Sequence, residues 1–230
     1  MTRRGASPAG FDWTRRSLAM DEYSSDIAFT PIVKEIQTRR GSRDTYRYME
    51  ECGSWKTTVT PELAAYLAER DSCYLATTNG QGQPYIQHRG GPKGFLRVLD
   101  EHTIAFADFS GNKQYITTGN LLENDRAFIF LMDYGNRRRI KLWGRARVVE
   151  DDEALVAQLM PRNYRARAVQ AILFTLSAWD VNCHQHIPVK FSASLVEASL
   201  GQLKSRITEL EAENAELRAA LNGAANNPSN

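Results

Sequence analysis

A chain of 230 residues with a hydrophobic fraction of 42% is long enough for one sizeable core with arms left over. Its 29 basic and 27 acidic residues leave a formal charge of +2, so no overall field draws in nucleic acid or an anionic membrane, and the clusters Arg39-Arg40 and Arg137-Arg138-Arg139 lack the interleaved aromatics of a nucleic-acid patch. Cys52, Cys73 and Cys183 are odd in number and widely spaced, which argues for a reducing cytoplasm over a disulfide framework; no apolar run approaches the roughly 20 residues of a spanning helix, and the N-terminus lacks the apolar segment of a secretory signal.

Residues 1–28 read as a polar, mobile arm. Residues 29–70 read as a helical extension. In it Thr30 suits an N-cap, Pro31 the first helical position, and Ile32, Val33 and Ile36 an apolar stripe. Gly41-Ser42 breaks this helix, Asp44 to Glu51 continues as a second, and Thr60-Pro61-Glu62 opens a third carrying Leu63, Ala64 and Leu67 on one face.

Residues 71–191 read as a barrel. Its expected strands are Cys73 to Thr78, Pro84 to His88, Gly94 to Leu99, His102 to Ala107, Ala127 to Asp133, Arg139 to Glu150 and Ala171 to Val181. Asn79-Gly80-Gln81-Gly82 and Tyr134-Gly135-Asn136 mark turns; Lys113 to Glu123 and Asp151 to Met160 read as helices. Short strands with few interposed helices favour an antiparallel barrel over a doubly wound sheet, and neither nucleotide fingerprint, G-x-G-x-x-G or G-x-x-x-x-G-K-[ST], is present. From Ser192 the pattern becomes heptad: Leu200, Ile207, Asn214 and Leu221 fall at a, and Val196, Leu203, Leu210 and Leu217 at d. A buried Asn214 at a suits a parallel, in-register pair of helices over residues 192–222; residues 223–230 read as a disordered tail.

The chemistry concentrates between Pro84 and Gln114. His88-Arg89 leads into Gly90-Gly91, and two glycines without Cβ atoms let a backbone approach a flat ligand. After the apolar run Ile104 to Phe106 comes Ser110-Gly111-Asn112-Lys113-Gln114, whose small polar residues, single cation and helix start make a phosphate-binding composition. Gly-Asn-Lys alone reads better as a plain helix N-terminus; its place one strand after His-Arg-Gly-Gly reverses that and favours a ligand. Cys183, His184 and His186 form a polar cluster, but sequential neighbours point in different directions and no second ligand pair lies at a useful spacing, so no metal is expected. No Ser-His-Asp or Cys-His-Asn arrangement emerges, and no catalytic residue is assigned.

With Arg138-Arg139-Ile140-Lys141-Leu142-Trp143-Gly144, these motifs resemble the pyridoxamine 5'-phosphate oxidase-like FMN-binding split barrels from roughly Phe29 to Phe191, most of all a bacterial branch with an N-terminal helical extension. The resemblance implies a mainly β, six-stranded-type antiparallel split barrel with flanking helices, a homodimer with FMN at its interface, and an oxidoreductase taking electrons from NAD(P)H to O2 or a small acceptor. It implies cofactor contacts from His88, Arg89, Gly90 and Gly91 along the ring and ribityl chain, Asn112, Lys113 and Gln114 at the phosphate, and Asp108, Arg139 and Lys141 at polar edges. Trp179, Gln185 and His186 are expected to close the pocket. Where the family often has Ser-Arg-Lys, this chain has Asn-Lys-Gln and keeps one cation. Three alternatives stand beside this reading: pyridoxamine phosphate oxidation itself, for which the terminal Arg-containing motif is missing; a deazaflavin or haem ligand; and a non-enzymatic flavin-binding module whose coiled coil recruits partners.

Overall fold

The computed structural model describes residues 22–182 and 184–225; residues 1–21 of the expected arm, Cys183 and the last five residues of the expected tail, 226–230, lie outside the described residues. The chain divides into two compact units, Met1–Phe130 with Lys141–Asp180, and Leu131–Ile140 with Val181–Asn230.

The first unit opens with three helices, α1 (Pro31–Arg40), α2 (Arg43–Glu51) and α3 (Pro61–Ala68). Two of them begin identically. The Thr30 hydroxyl accepts from the Val33 N–H at 3.4 Å and the Thr60 hydroxyl from the Leu63 N–H at 3.3 Å, each with proline at the first helical position. Gly41 takes a left-handed φ of 78°, ends α1 and turns the chain into α2. The described end of the expected arm is ordered instead: Ser24–Ile27 forms a 3-10 turn with Ser25 fully buried, and the Ser24 hydroxyl donates to the Trp55 carbonyl at 2.5 Å. The strands are β1 (Ser72–Thr78), β2 (Pro84–Gly90), β3 (Arg97–Val98), β4 (Thr103–Phe109), β5 (Arg126–Asp133), β6 (Arg138–Val149) and β7 (Ala168–Asn182). Helix α4 (Ile116–Glu123) follows β4, α5 (Glu153–Leu159) follows β6, and α6 (Ala193–Ala225) follows β7. Helix α6 runs through Gly223 to Ala225, three residues beyond the expected end at 222.

The strands form one seven-stranded sheet in the order β2-β1-β5-β6-β7-β4-β3, the antiparallel split barrel. Alternation builds its inner face. Leu75, Ile104, Phe106, Ile129, Leu142, Ile172 and Phe174 are each 0 or 1% exposed. The opposite face of β4 is equally buried, because Ala105, Ala107 and Ala171 pack under Leu159 of α5. Gly144 of β6 is required by this packing: a Cβ there would lie 2.1 Å from the Thr175 carbonyl oxygen and 2.7 Å from the Phe174 ring. Strand β3 is two residues long where Gly94 to Leu99 was expected, because Phe95 and Leu96 are both buried and break the alternation a longer half-buried strand needs.

The helical extension is joined to the barrel by an aromatic stack and a buried ion cluster. Trp55 stacks on Trp143 of β6 at 4.5 Å; Phe29 meets Trp55 edge-on at 5.1 Å, and Phe128 meets Trp143 likewise at 5.1 Å. Glu50, with a side chain 0% exposed, pairs with Arg43, lies 3.6 Å from Lys34 and accepts from the Ser25 hydroxyl at 3.3 Å. Removing one partner of such a pair strands a buried charge. Arg43→Met is therefore expected to lower unfolding stability by about 3 kcal/mol, the low end for a buried pair because Lys34 remains. Urea denaturation checks the loss, and limited proteolysis should show the first cleavages moving into residues 22–51.

Candidate functional site

The inner face of the sheet carries polar groups at one place. Along β2, Tyr85, Gln87 and Arg89 stand opposite Thr77, Leu75 and Cys73 of β1, which are buried. Along β4, Ile104, Phe106 and Asp108 stand opposite Phe174, Ile172 and Gln170 of β7. Strand β2 ends one side of the sheet and β4 is next to last on the other. Between them opens a cleft of about 250 Å³, walled by β2, the end of β4, the 110–115 turn, the first turn of α4, and Val169 with Gln170. Small-molecule sites usually enclose roughly 300–1,000 Å³, so this open cleft is smaller than a typical closed site.

An ion pair spans the seam. The Arg89 guanidinium donates to Asp108, which is 7% exposed; the second Asp108 oxygen accepts from Gln170 Nε2 at 2.8 Å, and that amide also donates to the Thr118 hydroxyl at 3.1 Å. A β-bulge sits at this point: the β4–β7 register slips between Asp108 and Phe109, so Val169 drops out of the ladder and is 45% exposed. Arg89 Nε is buried and has no partner among the described residues, a spare donor beside the cleft. Cys73, directly across from Arg89, is 1% exposed, and burial pushes its thiol up to about 12 against a weaker downward pull from Arg89. It is a neutral core thiol, not a nucleophile.

The 110–115 turn supplies the other polar wall. Lys113 and Tyr115 have left-handed φ values of 58° and 55°, a conformation that costs a non-glycine residue about 1–2 kcal/mol. They explain why α4 starts at Ile116 and not at Lys113 as expected. The Gln114 N–H donates to Asn112 Oδ1 at 3.3 Å, and the Asn112 amide donates to Gln114 Oε1 at 3.2 Å. The residue before α4, Tyr115, gives no side-chain cap, so the first N–H groups of the helix have no capping oxygen. Lys113 is exposed beside them. A helix start of this kind, with a cation, favours an anion.

The structure brings together five of the expected residues, Arg89, Asp108, Asn112, Lys113 and Gln114. It places the others outside the cleft. His88 alternates to the outer face, exposed and edge-on to Tyr74 at 5.6 Å. Gly90, on the outer face beside His88, and Gly91, just past β2, do not line the cleft; a Cβ on Gly91 would lie 2.8 Å from Phe95 Cβ, so packing explains this glycine. Lys141 is held by Asp180 at 3.1 Å and lies over Trp143 at 5.0 Å and Trp55 at 5.6 Å. Trp179 is a core residue, 3% exposed, whose Nε1 donates to the Thr58 carbonyl at 2.9 Å. Arg139, Gln185 and His186 belong to the second unit, where Gln185 and His186 are exposed. Among the described residues no three His, Cys, Asp or Glu side chains gather as a metal site. No described helix is long and apolar enough to cross a membrane. Tyr85, Gln87, Gln170 and Thr118 were missed. The first two lie at the i−4 and i−2 positions from Arg89, where period two finds them, and Gln170 is a lone inward polar residue in the apolar run 168–174.

The sequence profile of the pyridoxamine 5'-phosphate oxidase family matches residues 59–187, more than half of the chain. No curated protein matches the sequence. Among solved structures, HupZ of Group A Streptococcus aligns at 13% identity over 57% of this chain and 99% of its own, with a TM-score of 0.44. An FMN-binding protein from Syntrophomonas wolfei aligns at 13% identity over 65% of this chain and 97% of its own, with a TM-score of 0.42. A Clostridium acetobutylicum protein related to general stress protein 26, of the pyridoxinephosphate oxidase family, aligns at 13% identity over 55% and 89%, with a TM-score of 0.39.

The seam ion pair sets a stability expectation. Arg89→Met leaves the Asp108 carboxylate with Gln170 alone and should cost about 3 kcal/mol, the low end for a buried pair because the Arg89 side chain is 18% exposed. The double replacement Arg89→Met with Asp108→Leu should recover most of that loss. Urea denaturation of the four proteins gives the coupling; a coupling near zero would mean that water screens the pair.

Proposed function

Because the chain belongs to the pyridoxamine 5'-phosphate oxidase family, we propose that the cleft between β2, β4 and α4 holds FMN and that the protein is an FMN-dependent oxidoreductase. The observation that carries the reading is the composition of the cleft wall: a buried, unpartnered Arg89 Nε on one side and, on the other, the strained Asn112-Lys113-Gln114 turn at the uncapped start of α4. These residues fit the group. Lys113 and the α4 amides would hold the phosphate, Asn112 and Gln114 would shape the turn, and Arg89, fixed by Asp108 and Gln170, would present its spare N–H to a polar edge of the ring system. When bound, FMN supplies two-electron redox chemistry; the chain supplies binding, orientation and charge. The paired Asp108 offsets part of the Arg89 charge, so Arg89 favours an anionic ligand less than an isolated guanidinium would.

The proposed assembly is a homodimer with the cofactor at its interface. The outer face of β2 and β1 supports this: Ile86 is 59% and Tyr74 36% exposed, with half-buried Phe128 and Phe130 on the adjoining β5. A second wall from the other protomer would complete the open cleft, with Arg139 and Lys141 as the expected cations; Lys141 would first have to leave Asp180. The proposed electron donor is NADH or NADPH and the acceptor O2 or a small molecule.

Two measurements test this. Lys113→Ala should weaken FMN binding by about ten- to hundredfold, the range for losing a charge-assisted contact, and leave riboflavin binding little changed. Equal losses for both would move the phosphate elsewhere. Anaerobic mixing of the FMN-loaded protein with NADH and with NADPH should bleach the flavin absorbance. Binding of FMN without bleaching by either donor would sink the oxidoreductase reading and favour a flavin-binding module.

A further inference from the structure

Helix α6 displays an apolar stripe that no described residue of its own unit covers. Its a and d residues Val196, Leu200, Leu203, Ile207, Leu210, Leu217 and Leu221 are between 44 and 71% exposed, in a helix of 33 residues. Seven large apolar side chains in one line, four and three residues apart, are a docking surface and not scatter. We propose that this stripe pairs with α6 of a second copy of the chain in a parallel, two-stranded, in-register coiled coil.

Three observations select that occupant. Asn214 is the one polar residue in the stripe and falls at a. In the parallel register each Asn214 meets its mate in the same layer and the two amides satisfy each other; in an antiparallel pair a faces d, and the amide would be buried against leucine. The flanking charges agree. Arg206 at g faces Glu211 at e of the other helix, and Glu213 at g faces Arg218 at e, both pairs of opposite sign. In the single chain Arg206 bonds instead to Glu209 at 2.9 Å, an exposed contact worth little, which leaves it free to exchange partners. Leucine at three successive d positions with β-branched Ile207 at a also favours two strands over three. A parallel coil has a two-fold axis along its length, the symmetry a closed homodimer requires. This pairing does not depend on flavin.

The test uses the full chain with Asn214→Cys, oxidised under native conditions with and without FMN, and the disulfide-linked peptides mapped by mass. A link between position 214 of two chains is expected in both states. A dimer without that link, or a chain that stays monomeric at micromolar concentration, overturns the proposal. In the same background Arg206→Glu should lower the yield of the link in a glutathione buffer by about two- to fivefold, as expected for two symmetric exposed pairs. Adding Glu211→Arg should restore it. Positions 206 and 211 lie about 140° apart around one helix, so rescue can come only across two helices. Loss of the Arg206–Glu209 bond is common to both variants and cannot produce the rescue; failure of the rescue argues against the parallel register.

Discussion

The Arg89–Asp108 ion pair holds the two sides of the split barrel together. The sheet runs from β2 at one side to β4 and the two-residue β3 at the other, and its backbone ladder does not join those ends. A sheet edge left open presents unpaired N–H and C=O groups. Here the seam is bridged by side chains: Arg89 from β2 reaches Asp108 of β4, Gln170 of β7 supports the carboxylate, and the Asn120 amide of α4 donates to the Thr77 hydroxyl of β1 at 3.0 Å. Buried polar groups must be paired, so with Arg89 and Asp108 placed in the seam every member of the network needs a partner. That network leaves one donor over, the Arg89 Nε, and the bulge beside it pushes Val169 out of the ladder. What closes the fold and what forms the candidate site are the same residues.

Much of this was legible in the sequence, and the reason is periodicity. Strand patterns placed the bounds of all seven strands within three residues, although β3 shrinks to two residues, and Thr-Pro pairs located two helix starts. The turn at Asn112 to Gln114 stood out through its place one strand after His88-Arg89-Gly90-Gly91, since Gly-Asn-Lys alone reads as a plain helix start. What failed depended on contacts distant in sequence. Trp179 reads as a polar-edged aromatic near a His-rich segment, yet it is core because Lys56 pairs with it across an isolated bridge and its indole N–H reaches the Thr58 carbonyl. Gly91 reads as space for a ligand, yet Phe95 fills that space. The Asp108–Gln170 bond joins residues 62 apart, and no local pattern announces it.

Lys141 shows how one strand can serve two layers. Its neighbours Ile140 and Leu142 point into the barrel and are fully buried, so Lys141 and Trp143 must point outward. The helical extension covers that outer face through Trp55, and the Lys141 ammonium lies against both indoles while pairing with Asp180. A cation–π contact contributes about 0.5–2 kcal/mol depending on its desolvation. Any role for Lys141 toward a ligand is therefore a competition against Asp180 and two aromatic faces, whereas Lys113 has exposure and a strained backbone already committed.

Charge arithmetic sharpens the case for a second wall. A phosphate monoester carries about −1.5 to −2 charges near neutral pH. The cleft of one chain offers Lys113, Arg89 and Asp108, so the Arg–Asp pair cancels and one cation remains. The start of α4 adds the equivalent of about +0.5. The sum, about +1.5, meets the lower end of that range and leaves a dianion about half a charge short, and the approximately 250 Å³ cleft is smaller than a typical closed site. Both deficits have the same remedy, a second protomer that brings one more cation and the missing wall. On the proposed reading, dimerisation then completes the site, adding a wall and a cation to the phosphate contacts that one chain offers. A coil that tethers the C-terminal helices would raise the effective concentration of one barrel near the other. It would thereby favour assembly of the site even where the barrel faces alone associate weakly.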